Sequence, residues 1–291
     1  MFKSAVVIIF FSLVMVRAGL ADPLVALQTK AANGEVTAQI TLGSMYYYGS
    51  GLSQDYAQAA KWYQQAATQG NDVAQAILGG MYESGKGVPQ SAREAAKWYL
   101  QAAEQGNAAA QTQLGFLFHR GDGVPQNYIE AAKWCRRAAE QGNAIAQYNL
   151  GFLYQQGEGV PQDEAEALKW YRRAAEQGNA AAQNNLGSMF SQGRGVPRDE
   201  AEALKWYRKA ADQGFALAQY NLGYIYILGR MAPRDLVLAY AWLTLAVDQL
   251  SEMERDDAAT MLGAIEAQMT PMQLASGQKL VGEWRKTPSA P

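Results

Sequence analysis

The sequence predicts an all-α solenoid of six 36-residue helix-turn-helix repeats with capping helices at both ends. Three observations predict it. Tryptophan recurs at one step of 36 residues, at Trp62, Trp98, Trp134, Trp170, Trp206 and Trp242. The pair Leu-Gly keeps the same step from Leu42-Gly43 to Leu222-Gly223, and Ala-Gln from Ala38-Gln39 to Ala218-Gln219. A period in this range marks stacked supersecondary units, each of which buries its apolar face only against its neighbours.

The first 21 residues stand apart. Lys3 precedes an apolar stretch from Ala5 to Val16, and Ala18-Gly19-Leu20-Ala21 offers small residues at a cleavage site before Asp22. This is the pattern of a secretory signal peptide, with an apolar stretch shorter than the ~20 residues of a membrane span. The expected location is therefore the bacterial periplasm or the secreted fraction, without stable membrane insertion once the peptide is cleaved. Loss of Lys3 and Arg17 leaves 23 of the 25 basic side chains against all 27 acidic ones, a net charge of −4. That balance offers no general attraction to nucleic acid. The single cysteine, Cys135, excludes an internal disulfide.

The repeats follow over residues 35–249, after an N-terminal capping helix expected over 22–34. In the third repeat, Ala108 to Arg120 reads as a first helix, with Ala110, Leu114, Leu117 and Phe118 on one face. Gly121-Asp122-Gly123-Val124-Pro125 breaks it. Asn127 is placed to cap a second helix, Tyr128 to Gln141, whose buried stripe is Ala131, Trp134, Cys135, Ala138 and Ala139. Glycine in mid-helix costs about 1 kcal/mol relative to alanine, so Gly115 and its copies imply close approach of a bulky ring, here expected to be an indole. After Trp242, a polar helix from Ser251 to Met269 is expected, then a last helix opened by Thr270-Pro271-Met272-Gln273, a capping-box sequence. Residues 250–286 thus read as C-terminal capping helices, and 287–291 as a disordered tail.

The repeat pattern resembles SEL-1-like repeats. Ala146, Leu150, Gly151, Tyr154, Gly157, Gly159, Val160, Pro161, Ala167, Trp170, Tyr171, Ala174, Ala175 and Gly178 carry it in full within residues 146–178. Departures are Ser53 for the turn proline in the first repeat and Cys135 for tyrosine in the third. The resemblance implies a relative of tetratricopeptide arrays, a right-handed superhelix, and an adaptor role, in bacteria often exported.

Chemical motifs are few. Gly80 to Lys86 approaches a phosphate-loop spelling, but Gly87 stands where the magnesium-binding hydroxyl belongs and a helix precedes it. His119 is the only histidine, which excludes a histidine-based metal cluster, and its varied repeat column is expected at the surface. No cofactor or catalytic residue is assigned. Ser276-Gly277-Gln278-Lys279 spells the Ser-x-x-Lys of penicillin-recognising enzymes without its companion motifs. An exported, cysteine-rich branch of the resembled family is described as penicillin-binding or β-lactamase. The alternative function is therefore an exported β-lactamase-like hydrolase or one acting on peptidoglycan fragments. That branch pairs two cysteines per repeat, which this chain cannot do.

The second helices carry Lys133, Arg136, Arg137, Lys169, Arg172, Arg173, Lys205, Arg208 and Lys209. Glu130, Glu140, Glu166, Glu176, Glu202 and Asp212 lie three or four residues away, so a self-neutralised face is expected. By analogy with tetratricopeptide arrays, the concave face collects two first-helix columns that vary between repeats. Thr112, Tyr148, Asn184 and Tyr220 come from one, and Phe116, Phe152, Ser188 and Tyr224 from the other. These eight are the candidate partner-binding residues, for a protein or peptide engaging a monomer. Asn149, Asn185 and Asn221 resemble the asparagines of carboxylate-clamp arrays, but Arg120 is the nearest basic residue read on that face.

Overall fold

The computed structural model describes residues 23–286. They form fifteen helices and no strand. The helices are α1 (Pro23–Ala32), α2 (Val36–Tyr48), α3 (Tyr56–Thr68), α4 (Asp72–Ser84), α5 (Ala92–Glu104), α6 (Ala108–Arg120), α7 (Tyr128–Glu140), α8 (Ala144–Gln156), α9 (Glu164–Glu176), α10 (Ala180–Gln192), α11 (Glu200–Asp212), α12 (Ala216–Leu228), α13 (Leu236–Val247), α14 (Glu252–Glu266) and α15 (Pro271–Trp284). Each helix packs mainly on its neighbours in sequence, and α13 packs on both α14 and α15. The result is the expected all-α solenoid of helix pairs. The signal peptide expected over residues 1–21 and the tail expected over 287–291 lie outside the described residues.

Local chemistry sets each boundary. First helices open on Asn71, Asn107, Asn143 and Asn179, whose side chains accept the backbone N–H three residues on. They close on Gly85, Gly121, Gly157 and Gly193 in the left-handed region. Second helices open on Asp55, Ser91, Asn127, Asp163, Asp199 and Asp235, all in capping hydrogen bonds. Thr270 and Gln273 form the capping box of α15. In repeat six Met231 takes the place of the second turn glycine and keeps its positive φ of 62°.

Gly43, Gly79, Gly151 and Gly187 receive tyrosine, not the expected indole, and Gly223 receives Leu243. A Cβ on Gly151 would lie 2.8 Å from the Tyr171 ring, and one on Gly187 2.8 Å from Tyr207. In the third repeat the Sγ of Cys135 occupies that place against Gly115. Trp134, Trp170, Trp206 and Trp242 are buried one residue earlier along their helices.

A ladder of buried glutamines ties the units together. Nε2 of Gln75, Gln111, Gln147 and Gln183 donates to the carbonyls of Ala67, Ala103, Ala139 and Ala175, at 3.0–3.1 Å. Each acceptor ends the second helix of the preceding repeat. The Oε1 atoms in turn accept from Gln105, Gln141, Gln177 and Gln213 at 2.7–2.8 Å. The buried amides are thus satisfied on both atoms.

Candidate functional site: the first-helix face

The eight candidate residues do not all reach solvent. Thr112 is buried and its hydroxyl donates to the Ala108 carbonyl at 2.8 Å. Asn184 is also buried, and its Oδ1 accepts from Asn221 Nδ2 at 2.9 Å. These two form the floor. Phe116 and Tyr224 stand out, 40% and 45% exposed. Tyr148, Phe152, Ser188 and Tyr220 are half-buried. Tyr148 leans on Tyr171 at 5.7 Å between ring centroids, and burial raises its phenol above the ordinary range. Burial first, then the carboxylate of Asp257 on α14, raises the Tyr220 phenol.

The surroundings are more polar than the sequence columns imply. The guanidinium of Arg120 lies over the Phe116 ring at 5.2 Å. Arg194 reaches in from the turn before α11, its Nη2 donating to Ser188 Oγ at 3.2 Å. Arg120 therefore has company that reading the first helices alone missed. Two of the three asparagines are engaged by Asn184 of the neighbouring column: Asn221 Nδ2 donates to its Oδ1, and its Nδ2 donates to Asn185 Oδ1 at 3.5 Å. His119 is half-buried, with Nε2 2.7 Å from Glu158 Oε2 of the next repeat and its ring against Tyr128 and Phe152.

The second-helix face departs from the expected charge balance. Lys133, Lys169 and Lys205 pair with Glu130, Glu166 and Glu202 as the spacing predicts. The remaining cations settle on aromatic rings: Arg137 over Trp134, Arg173 over Trp170, Lys209 over Trp206, Arg136 over Tyr154 and Arg172 over Phe190. Such contacts satisfy the cation without neutralising it.

Among the described residues no group of three or more His, Cys, Asp or Glu side chains is placed to hold a metal. Burial pushes the Cys135 thiol up to about 12. The Ser276 hydroxyl donates to the Met272 carbonyl, and Lys279 reaches toward Glu283, so neither of this pair activates the other. No helix of the described residues is long and apolar enough to cross a membrane.

A two-helix unit repeated six times defines a solenoid repeat protein. The Sel1 repeat model matches residues 36–71, 72–107, 108–143, 144–179, 180–215 and 216–249, and the chain belongs to that family. Sel1-repeat proteins generally act as protein-interaction scaffolds. The chain is similar to a Sel1 repeat protein from Oxalobacter formigenes, with 37% identity over 79% of this chain and 91% of that one, at a TM-score of 0.72. A protective antigen of uropathogenic Escherichia coli strains, c5321, is 26% identical over 91% of this chain and 87% of its own, at a TM-score of 0.48. No curated protein matches the chain.

Proposed function

We propose that this protein is a non-catalytic interaction scaffold that works in the periplasm or after secretion. A partner peptide or helix binds along the first-helix face of repeats three to six, the concave side by analogy with related arrays. The observation that carries this reading is the aromatic row. Phe116, Tyr148, Phe152, Tyr220 and Tyr224 present rings from repeats three, four and six, half-buried or exposed, with the polar Asn184 and Ser188 in repeat five between them. Aromatic anchors give large contact area at small entropic cost and dominate binding hot spots. Thr112 and Asn184 support this surface from below, and Ser188 and Arg194 supply its polar contacts. The leader-like first 21 residues support export, and the protein is read as a monomer.

The test uses a Tyr148→Ala/Phe152→Ala variant that retains its helicity by circular dichroism. Partners recovered by the parent protein from envelope extract or host fluid should be lost by the variant. Equal recovery on the folded variant overturns the surface assignment.

A further inference from the structure

The turn inside repeat two is pressed onto repeat one. A Cβ on Gly87 would lie 2.0 Å from the Tyr56 carbonyl oxygen, at the start of α3. That contact sets Lys86, between the two turn glycines, over a group of tyrosines. Its Nζ lies 5.6 Å from the centroid of the Tyr47 ring and 5.5 Å from that of Tyr56. It also donates to Tyr47 Oη at 3.4 Å. Tyr48 and Tyr56 meet the Tyr47 ring edge-on, at 5.0 and 5.1 Å between centroids. Gln54 Nε2 donates to Tyr56 Oη at 3.0 Å. Both phenol oxygens therefore accept a hydrogen bond, and neither hydroxyl donates to a group among the described residues. The hydrogen bond to Tyr47, and then the phenols of Tyr47 and Tyr56, hold the Lys86 ammonium above the usual lysine range. Rings attract a cation without neutralising it.

The array supplies its own comparison, because the positions of Tyr47, Tyr56 and Lys86 recur at steps of 36 residues. For Arg194 the two facing positions are Gln155 and Glu164, and Glu164 Oε1 stands 3.9 Å from Arg194 Nη1. For Arg230 they are Ser191 and Glu200. Where the turn carries an acid, Glu158 meets His119 at 2.7 Å, and Asp122 meets Arg120 at 3.0 Å. Of the three turn cations, Lys86 alone has no carboxylate at either facing position. Its neighbours in sequence do not supply one. Glu83 accepts the Tyr99 hydroxyl at 2.8 Å, and Asp55 caps α3 through the N–H groups of Ala57 and Gln58.

We propose that Lys86, Tyr47, Tyr48 and Tyr56 form a second contact surface, at the joint of repeats one and two, which takes a glutamate or aspartate side chain of a partner protein. The carboxylate fills the position that Glu164 holds beside Arg194, and accepts from the ammonium and the two free phenols. Tyr48, 61% exposed, supplies contact area for the residues flanking the acid. The group stands open to solvent, so a free anion keeps its water here, whereas a protein partner excludes water around the pair. This surface lies apart from the aromatic row, and each is tested by its own variants.

NMR titration of the full chain at low salt tests the assignment. The probe is an acetyl-Gly-Leu-Glu-Leu-Gly-amide peptide, with its Gln twin and sodium acetate as comparisons. Affinity is read from the tyrosine ring resonances, and contact from the ε-carbon resonance of Lys86, assigned with Lys86→Gln. The Glu peptide should shift both saturably and bind about fivefold more tightly than the twin, the upper range for an exposed ion pair. Lys86→Gln should weaken binding about fivefold, Lys86→Arg less, and Tyr148→Ala/Phe152→Ala not at all. Tyr47→Phe/Tyr56→Phe, which removes only the two hydroxyls, should also weaken it. No saturable shift, equal binding of the twin, or undiminished binding to Lys86→Gln overturns the proposal. Acetate binding as tightly as the peptide overturns the protein partner. Dependence on Tyr148 and Phe152 overturns it as well, by placing the peptide on the aromatic row.

Discussion

The side-chain amide of Gln147 donates to the carbonyl of Ala139 at 3.1 Å, inside the core and across the boundary between two repeats. That carbonyl lies in the last turn of α7, where it also accepts the backbone N–H of Gly142 at 3.0 Å. The next repeat supplies a second donor to its remaining lone pair. The recurring Ala-Gln step therefore bridges adjacent repeats.

Replacing Gln147 by Leu removes the side-chain donor to the Ala139 carbonyl, which keeps its backbone donor Gly142, and leaves Gln177 Nε2 with only its long contact to the Arg173 carbonyl. Each of the two hydrogen bonds lost is worth about 0.5–1.5 kcal/mol, so urea unfolding should show a loss of about 1–3 kcal/mol. Gln219 differs, because its Oε1 is already unpartnered. Gln219→Leu should show the smallest cost in the series, and equal costs at both positions would contradict the ladder account.

Turn glycines offer a second internal comparison. A Cβ on Gly159 would lie 1.9 Å from the Tyr128 carbonyl oxygen of the preceding repeat. A Cβ on Gly51 would meet only the flexible end of Met45, at 3.2 Å. Both residues have positive φ, 71° and 78°. Gly51→Ala should cost only the left-handed strain, about 1–2 kcal/mol. Gly159→Ala adds overpacking against backbone, a further ~1–3 kcal/mol or more. Thermal unfolding of the two variants should separate them clearly.

Alkaline pH should destabilise the fold. Burial pushes the Cys135 thiol up to about 12, from an ordinary value of 9.0. Burial also raises the phenols of Tyr63, Tyr99, Tyr171 and Tyr207. For a raised acid, the unfolded chain releases protons first as pH climbs, so the stabilisation is complete below pH 9 and declines toward 12. The urea midpoint should be flat from pH 7 to 9 and fall above it. In the same window the Cys135 thiol should react with a disulfide reagent only after unfolding; rapid reaction of the native protein at pH 8 would contradict its burial.

Periodicity revealed the helix pairs because every repeat repeats the same caps, breaks and apolar spacing. The α6 bounds, Ala108–Arg120, coincide with the reading of the residues. Identity of the ring facing Gly115 and its copies was not legible. Trp and Tyr are adjacent in sequence and about 100° apart around the helix, and spacing alone does not say which points at the glycine. The lysine–glutamate pairs were legible because they are three residues apart on one helix. The arginine contacts were hidden because Arg136 and Tyr154 meet from different helices. Arg194 was missed on the candidate face for a similar reason: it enters from a turn, outside the first-helix columns.

The central claim is that partners engage the aromatic row on the first helices. Site-specific photocrosslinking tests it most directly, with p-benzoylphenylalanine at Phe152 or Tyr224, and at Ile129, an exposed residue of α7, as the control position. The account predicts discrete crosslinked partners from positions 152 and 224 and none from 129. Crosslinks of equal yield from 129, or from 129 alone, would contradict it.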